Sequence, residues 1–200
     1  DGELAYENTI KRGEWTRVKI QYYVKWRIVV LKDGFEYYED NFDCSEKDVL
    51  IVLWSTALGD NISWVSYCEE FRKKHNCNLT VYSDYGDLFK GMYDSINFIT
   101  HRDGKREVFY SAYEVSFGIQ QGVHEEGMKR LNRYFRDNIP TKYIDGLTFF
   151  DTEFHPEHPA RIPMQKIATN ILGLPFSERR PNIPCNKEDR PIEGKYVCIS

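Results

Sequence analysis

Residues 49–71 read VLIVLWSTALGDNISWVSYCEEF, and the fold turns on them. Val49 to Trp54 is an apolar, β-branched run of the kind that forms a strand buried on both faces, which places it in a parallel sheet under helices. Beyond the loop, Ile62, Val65, Cys68 and Phe71 recur at helical spacing, so the next segment is a helix with one face on the sheet. Ligands of open α/β sheets sit outside the carboxyl ends of the strands, and here that position is Ser55, Thr56, Ala57, Leu58, Gly59 and Asp60. Asp60 therefore stands at a helix N-terminus facing a cleft. A carboxylate there can cap the helix and meet its dipole, or accept a proton as a general base; the residues alone support both. Ser55, Thr56 and Asn61 are candidates to orient Asp60 or an incoming molecule, and are equally ordinary loop hydrogen-bonders. Gly59, with no Cβ, lets backbone and substrate approach closely. The loop is not GxGxxG, so pyrophosphate has no glycine cradle and a nucleotide-binding Rossmann unit is disfavoured.

Working outward, Asn78–Ser83 is a second strand, a short helix follows around Asp87–Met92, and Ile96–Thr100 is a third strand. Strand and helix alternating at these intervals make a doubly wound unit. His101 to Lys105 form a turn and Val108–Tyr113 a fourth strand. On the amino-terminal side, Glu3 to Glu39 alternates instead: Trp15, Val18, Ile20, Tyr22 and Val24, then Trp26, Ile28 and Val30, with Asp33-Gly34 as a hairpin signal before Phe35, Tyr37 and Tyr38. This predicts a β-rich antiparallel extension over 1–46, serving assembly, partner binding or simple edge packing. On the carboxyl side, Val123, Met128, Leu131, Tyr134 and Phe135 mark a surface helix with a basic polar side, and Thr141–His158 reads as an ordered loop over the cleft. Pro163 opens a helix striped with Met164, Ile167, Ala168, Ile171 and Leu172, and Gly173 ends it. The α/β domain thus runs over 47–176. Pro181, Pro184 and Pro191 among charges make 177–194 an extended linker, and KYVCIS at 195–200 reads as the first strand of a second α/β domain whose remainder is absent from this sequence.

A net charge of −4 with acids and bases interspersed gives no basic stripe for nucleic acid and no polybasic run for a membrane surface. No apolar stretch approaches the ~20 residues of a membrane span, and DGELAYENTI lacks a secretion-signal pattern; the expectation is a cytoplasmic protein. Cys44, Cys68, Cys77, Cys185 and Cys198 are scattered without CxxC spacing and read as free thiols, Cys68 and Cys198 as small core residues. The residues build no metal site, and His155 and His158 make only a weak pair.

The loop STALGDNISW after a buried strand resembles the LGD-bearing loop of ADP-heptosyltransferases. Together with RIPMQKIATNILGLPFSERRP at 161–181 and KYVCIS at 195–200, the pattern is similar to the protein O-heptosyltransferases that modify autotransporter adhesins. The resemblance implies the Rossmann-like N-terminal, acceptor-binding half of a GT-B glycosyltransferase, with the C-terminal nucleotide-sugar domain largely absent. It implies transfer of heptose from ADP-heptose to a serine or threonine hydroxyl of an adhesin, with Asp60 matching the catalytic aspartate and Gly59 the glycine before it. It further implies homo-oligomers and an iron ion held by cysteines of the absent domain, so Cys185 and Cys198 are not assigned as ligands; this piece alone is expected to be inactive. Two other readings stay open: a lipopolysaccharide-type heptosyltransferase with a sugar acceptor, which the aromatic extension argues against, and a non-catalytic module that holds an adhesin strand.

Overall fold

The computed structural model describes residues 2–16, 18, 22–100, 103, 108–116, 157 and 161–183. The apolar run forms β3 (Asp48–Leu53), and α1 (Leu58–His75) follows it. Then come β4 (Asn78–Tyr82), the short α2 (Gly86–Phe89), β5 (Ile96–Ile99), β6 (Ser111–Val115) and α3 (Met164–Ile171). The strands pair in parallel in the order β5-β4-β3-β6. This is the doubly wound order: the chain leaves β3 toward β4 and β5, then returns to the other side of β3 with β6. The order reverses between β3 and β6, and the crevice outside their carboxyl ends is where such sheets bind ligands.

Alternate residues of β3 serve two layers. Val49, Ile51 and Leu53 join Val65, Cys68, Phe71, Val81, Phe98, Val115, Ile167 and Ile171 in the main core under α1 and α3. Leu50 and Val52 face the other way, with Tyr82 and Phe109, in a smaller cluster. The predicted stripe of α1 is buried, Ile62 partly, but the helix buries more than one stripe. Trp64 and Tyr67 are also enclosed, on the side that meets α3. Trp64 donates its indole N–H to the Met164 carbonyl at 2.9 Å, and the Tyr67 hydroxyl bonds the Ser177 carbonyl at 2.8 Å. α1 ends at Asn76, left-handed at φ 48°, one of the few side chains that tolerate this conformation. Gly173, at φ 60°, ends α3 where a Cβ would lie 2.7 Å from Tyr23 Cδ1; only glycine fits both the backbone angle and the ring.

Two expectations are corrected. The fourth strand begins at Ser111 rather than Val108, because pairing with β3 starts only where the Tyr110 N–H reaches the Asp48 carbonyl at 2.8 Å, leaving Val108 exposed. The extension is antiparallel as expected, but among its described residues the strands are β1 (Arg27–Lys32) and β2 (Phe35–Asn41), joined by Asp33 and Gly34 at φ 53° and 83°, a type I′ signature. Among the described residues before Arg27 there is no strand, and the Tyr23 N–H bonds the Ile171 carbonyl at 2.7 Å, outside any strand pair. The predicted helix at 121–138, the strand at 195–200, and Cys185 and Cys198 lie outside the described residues. Cys44, Cys68 and Cys77 are buried free thiols, raised in pKa chiefly by burial. No described helix is long and apolar enough to cross a membrane.

Candidate active site at the sheet's switch point

The loop from β3 into α1 lies at the reversal point of the strand order. Ala57 takes the N-cap position without a side-chain cap bond, so Asp60 sits in the first helical turn and not at the cap. Its carboxylate Oδ2 accepts the Ser55 hydroxyl proton. Ser55 Oγ in turn accepts the Ala57 N–H at 3.1 Å, so one serine both shapes the turn and holds the acid. No described residue bonds the other carboxylate oxygen, Oδ1.

Asn61 is wholly buried. Its amide nitrogen donates to the Ser55 and Ala57 carbonyls, both at 2.9 Å, and its amide oxygen accepts the Ser83 hydroxyl at 2.7 Å. The Tyr85 hydroxyl donates to the Thr56 carbonyl at 2.6 Å. Three consecutive loop carbonyls, those of Ser55, Thr56 and Ala57, are therefore tied by side chains. Thr56 enters this arrangement through its backbone. Gly59 has an ordinary φ, and a Cβ built on it would meet no heavy atom within 4 Å. This chain's own packing does not demand glycine there, and the space beside it is open.

Sequence reasoning missed Ser83 and Tyr85. They sit just past the carboxyl end of β4, next to β3, in the polar run Ser83-Asp84-Tyr85-Gly86-Asp87. The rule that singled out the exit of β3 applies equally to that exit. It also missed Glu114, opposite Val52 near the end of β6. Burial pushes the Glu114 pKa up to about 7 against a hydrogen bond from Ser116, and Oε2 finds no partner among the described residues.

The described residues contain no group of three or more His, Cys, Asp or Glu placed to hold a metal ion. These residues do not fit an iron centre.

A parallel sheet in doubly wound order, with a carboxylate presented at its switch point, defines the class: a Rossmann-like α/β domain with an acidic site loop. Two structures of the glycosyltransferase TibC share this fold. The dodecameric iron-containing heptosyltransferase TibC, in complex with ADP-D-β-D-heptose, matches at TM-score 0.65 and 21% identity over 91% of this chain and 40% of its own. A second TibC structure, from enterotoxigenic E. coli, matches at TM-score 0.60 and 22% identity over 90% of this chain and 39% of its own. Among sequences, the chain resembles the autotransporter heptosyltransferases. Aah of Escherichia coli is 28% identical over 203 residues, 100% of this chain and 44% of the relative. BAHTCr of Citrobacter rodentium is 30% identical over 207 residues, 100% of this chain and 42% of the relative. BimC of Burkholderia thailandensis, named an inactive autotransporter heptosyltransferase, is 25% identical over 182 residues, 90% of this chain and 36% of the relative. The chain spans less than half the length of each. No protein-family model matches it.

Proposed function

We propose that this chain is the acceptor-side, N-terminal half of a GT-B autotransporter heptosyltransferase, one that moves heptose from ADP-heptose to a serine or threonine hydroxyl of an adhesin. The observation that carries the reading is the Asp60 carboxylate, held at the switch point by Ser55 with Oδ1 unengaged by any described residue. A hydroxyl becomes an effective nucleophile when a base within about 3 Å accepts its proton. As the bond from the anomeric carbon to ADP breaks, the acceptor oxygen bonds that carbon and its proton passes to Asp60. A carboxylate is a weak base toward an alcohol, so proton transfer lags behind departure of ADP. The donor site belongs to the partner domain, which follows a linker over 177–194 and begins at 195–200. The working protein is a cytoplasmic homo-oligomer, in keeping with the dodecameric TibC.

The test is intact-mass analysis of an adhesin fragment incubated with ADP-heptose and the full-length enzyme. Asp60→Asn is expected to lower the rate of adduct formation by at least about 100-fold while adhesin binding persists, the range general-base catalysis contributes. Gly59→Ala adds a methyl where the chain leaves open space beside the loop. Since Gly within a helix costs about 0.5–1 kcal/mol relative to Ala, the variant should be more stable yet slower toward the adhesin. An adhesin that binds but gains no heptose with wild-type enzyme would favour the binding module; adducts only on a sugar acceptor would favour the lipopolysaccharide type.

A further inference from the structure

We propose that Ser83 and Tyr85, on the loop leaving β4, are positioning residues for the Asp60 carboxylate, acting through Asn61 and through the Thr56 carbonyl. The inference rests on the reading of Asp60 as the base and extends it to a neighbouring loop.

An asparagine amide has two donors on nitrogen and acceptor capacity on oxygen only. In Asn61 both donors are spent on the Ser55 and Ala57 carbonyls, so its oxygen must face away from the loop, into a buried position where it needs a donor. Ser83, also 0% exposed, supplies that donor at 2.7 Å. A serine at a strand exit commonly needs only its acceptor side, and Ser83 does accept the Tyr85 N–H at 3.0 Å to form its own turn. Its proton is not needed for that turn. It goes instead to a side chain 22 residues earlier. The relay therefore runs from the Tyr85 N–H to Ser83, to Asn61, and on to the carbonyls of Ser55 and Ala57. Ser55, fixed at its carbonyl, is the residue whose hydroxyl holds Asp60. Tyr85 adds a second tie, from its hydroxyl to the carbonyl lying between those two.

The consequence is preorganisation. A loop with its three carbonyls bound cannot turn its peptide planes without breaking bonds, some of them buried, so Ser55 presents the carboxylate in one orientation before an acceptor arrives. Loss of either tie leaves the fold and the crevice in place but widens the range of Asp60 positions.

The full-length enzyme carrying Ser83→Ala or Tyr85→Phe tests this against the adhesin fragment and ADP-heptose. Tyr85→Phe removes a single oxygen from a partly exposed residue and keeps the ring, so it remains informative even where Ser83→Ala folds poorly. The expected result in both is a fall in kcat of about 10- to 100-fold, the scale on which slight misplacement of a reacting group acts, with adhesin KM within about twofold of wild type. Peptides covering 55–61 should exchange amide hydrogens faster, with the rest of α1 still protected. Introduced into Asp60→Asn, neither change should lower the residual rate further. Wild-type kcat in Tyr85→Phe, an equal loss with and without Asp60, or exchange that rises across the whole sheet would overturn the proposal while leaving Asp60 as the base. Wild-type activity of Asp60→Asn would instead overturn the underlying reading, and the positioning role with it.

Discussion

The β3–α1 joint and the β1–β2 hairpin are each specified by a few residues, yet they use their side chains in opposite ways. At the joint, Asn61, Ser83, Trp64 and Val65 are closed off from solvent, and the loop carbonyls are bound by name. In the hairpin, every strand residue except Asp40 is exposed, Phe35 at 79% and Tyr37 at 73%. The hairpin is held by its turn and its backbone ladder, the joint by two layers packed on a sheet. Residue-type alternation sets strand geometry, but burial requires a second layer. The seam between the hairpin and the helix that leaves the joint is Tyr23, whose ring lies 6.1 Å from Phe42, the residue after β2, and 5.7 Å from Phe71 and 4.5 Å from His75 of α1.

The largest effect is expected on the joint's side of that seam. Trp64→Ala removes a fully buried indole and its bond to Met164, the contact that seats α3 on α1. Chemical denaturation should show a loss of about 3–5 kcal/mol, the usual cost of removing a large aromatic side chain from a core. A loss below about 1 kcal/mol would mean that α3 is not part of the same cooperative unit.

At the seam the probe is pH. His75 is packed between Tyr23 and Phe71, its Nε2 unpartnered among the described residues, and burial, with the Lys74 charge second, lowers its pKa to about 4 from 6.5. Between those values the unfolded chain binds a proton that the folded chain refuses. Stability is therefore whole above pH 6.5 and is lost as pH falls toward about 4. Glu114 works in the other direction: its pKa is raised from 4.5 to about 7, so its contribution fades as pH rises through that range. The two slopes overlap, and a variant isolates one of them. Because the two slopes oppose each other in wild type, His75→Phe should leave the Glu114 slope alone, and its unfolding midpoint should fall from pH 5 to pH 7 relative to the wild-type change. A pH 5 to pH 7 change identical to wild type would mean that the imidazole stays hydrated.

Much of this was legible in the sequence because the signals were local. A continuous apolar run announced β3, Asp33-Gly34 announced the hairpin turn, and Gly173 announced the end of α3. The second buried side of α1 was not legible: Trp64 and Tyr67 are enclosed only because α3, about 100 residues later, returns to cover them. The same is true of the site. The Ser55–Asp60 pairing spans five residues and follows from the loop, whereas the Ser83–Asn61 bond spans 22 and exists only because β4 pairs beside β3. The exposure of both hairpin faces was illegible for the converse reason, since alternation reads as a buried face whether or not anything lies above it.

The smallest effect is expected in the hairpin itself. Phe35→Ser and Tyr37→Ser together remove two exposed rings that contribute no burial, and exposed substitutions of this kind shift stability by no more than about 0.5 kcal/mol. Tyr37 also meets the Lys32 ammonium at 5.7 Å, an exposed cation–π contact worth roughly 0.5–1 kcal/mol at most, so Phe35→Ser alone should be the more nearly silent of the two. The comparison is made on the chain of these 200 residues and again on the longer heptosyltransferase proposed above. Silence in both would leave the hairpin an exposed ornament of the fold. Silence in the short chain with a loss above about 1 kcal/mol in the long one would show that its aromatic face is buried by the rest of the protein or by another copy, and the contrast with the joint would then be one of when each region is covered, not whether.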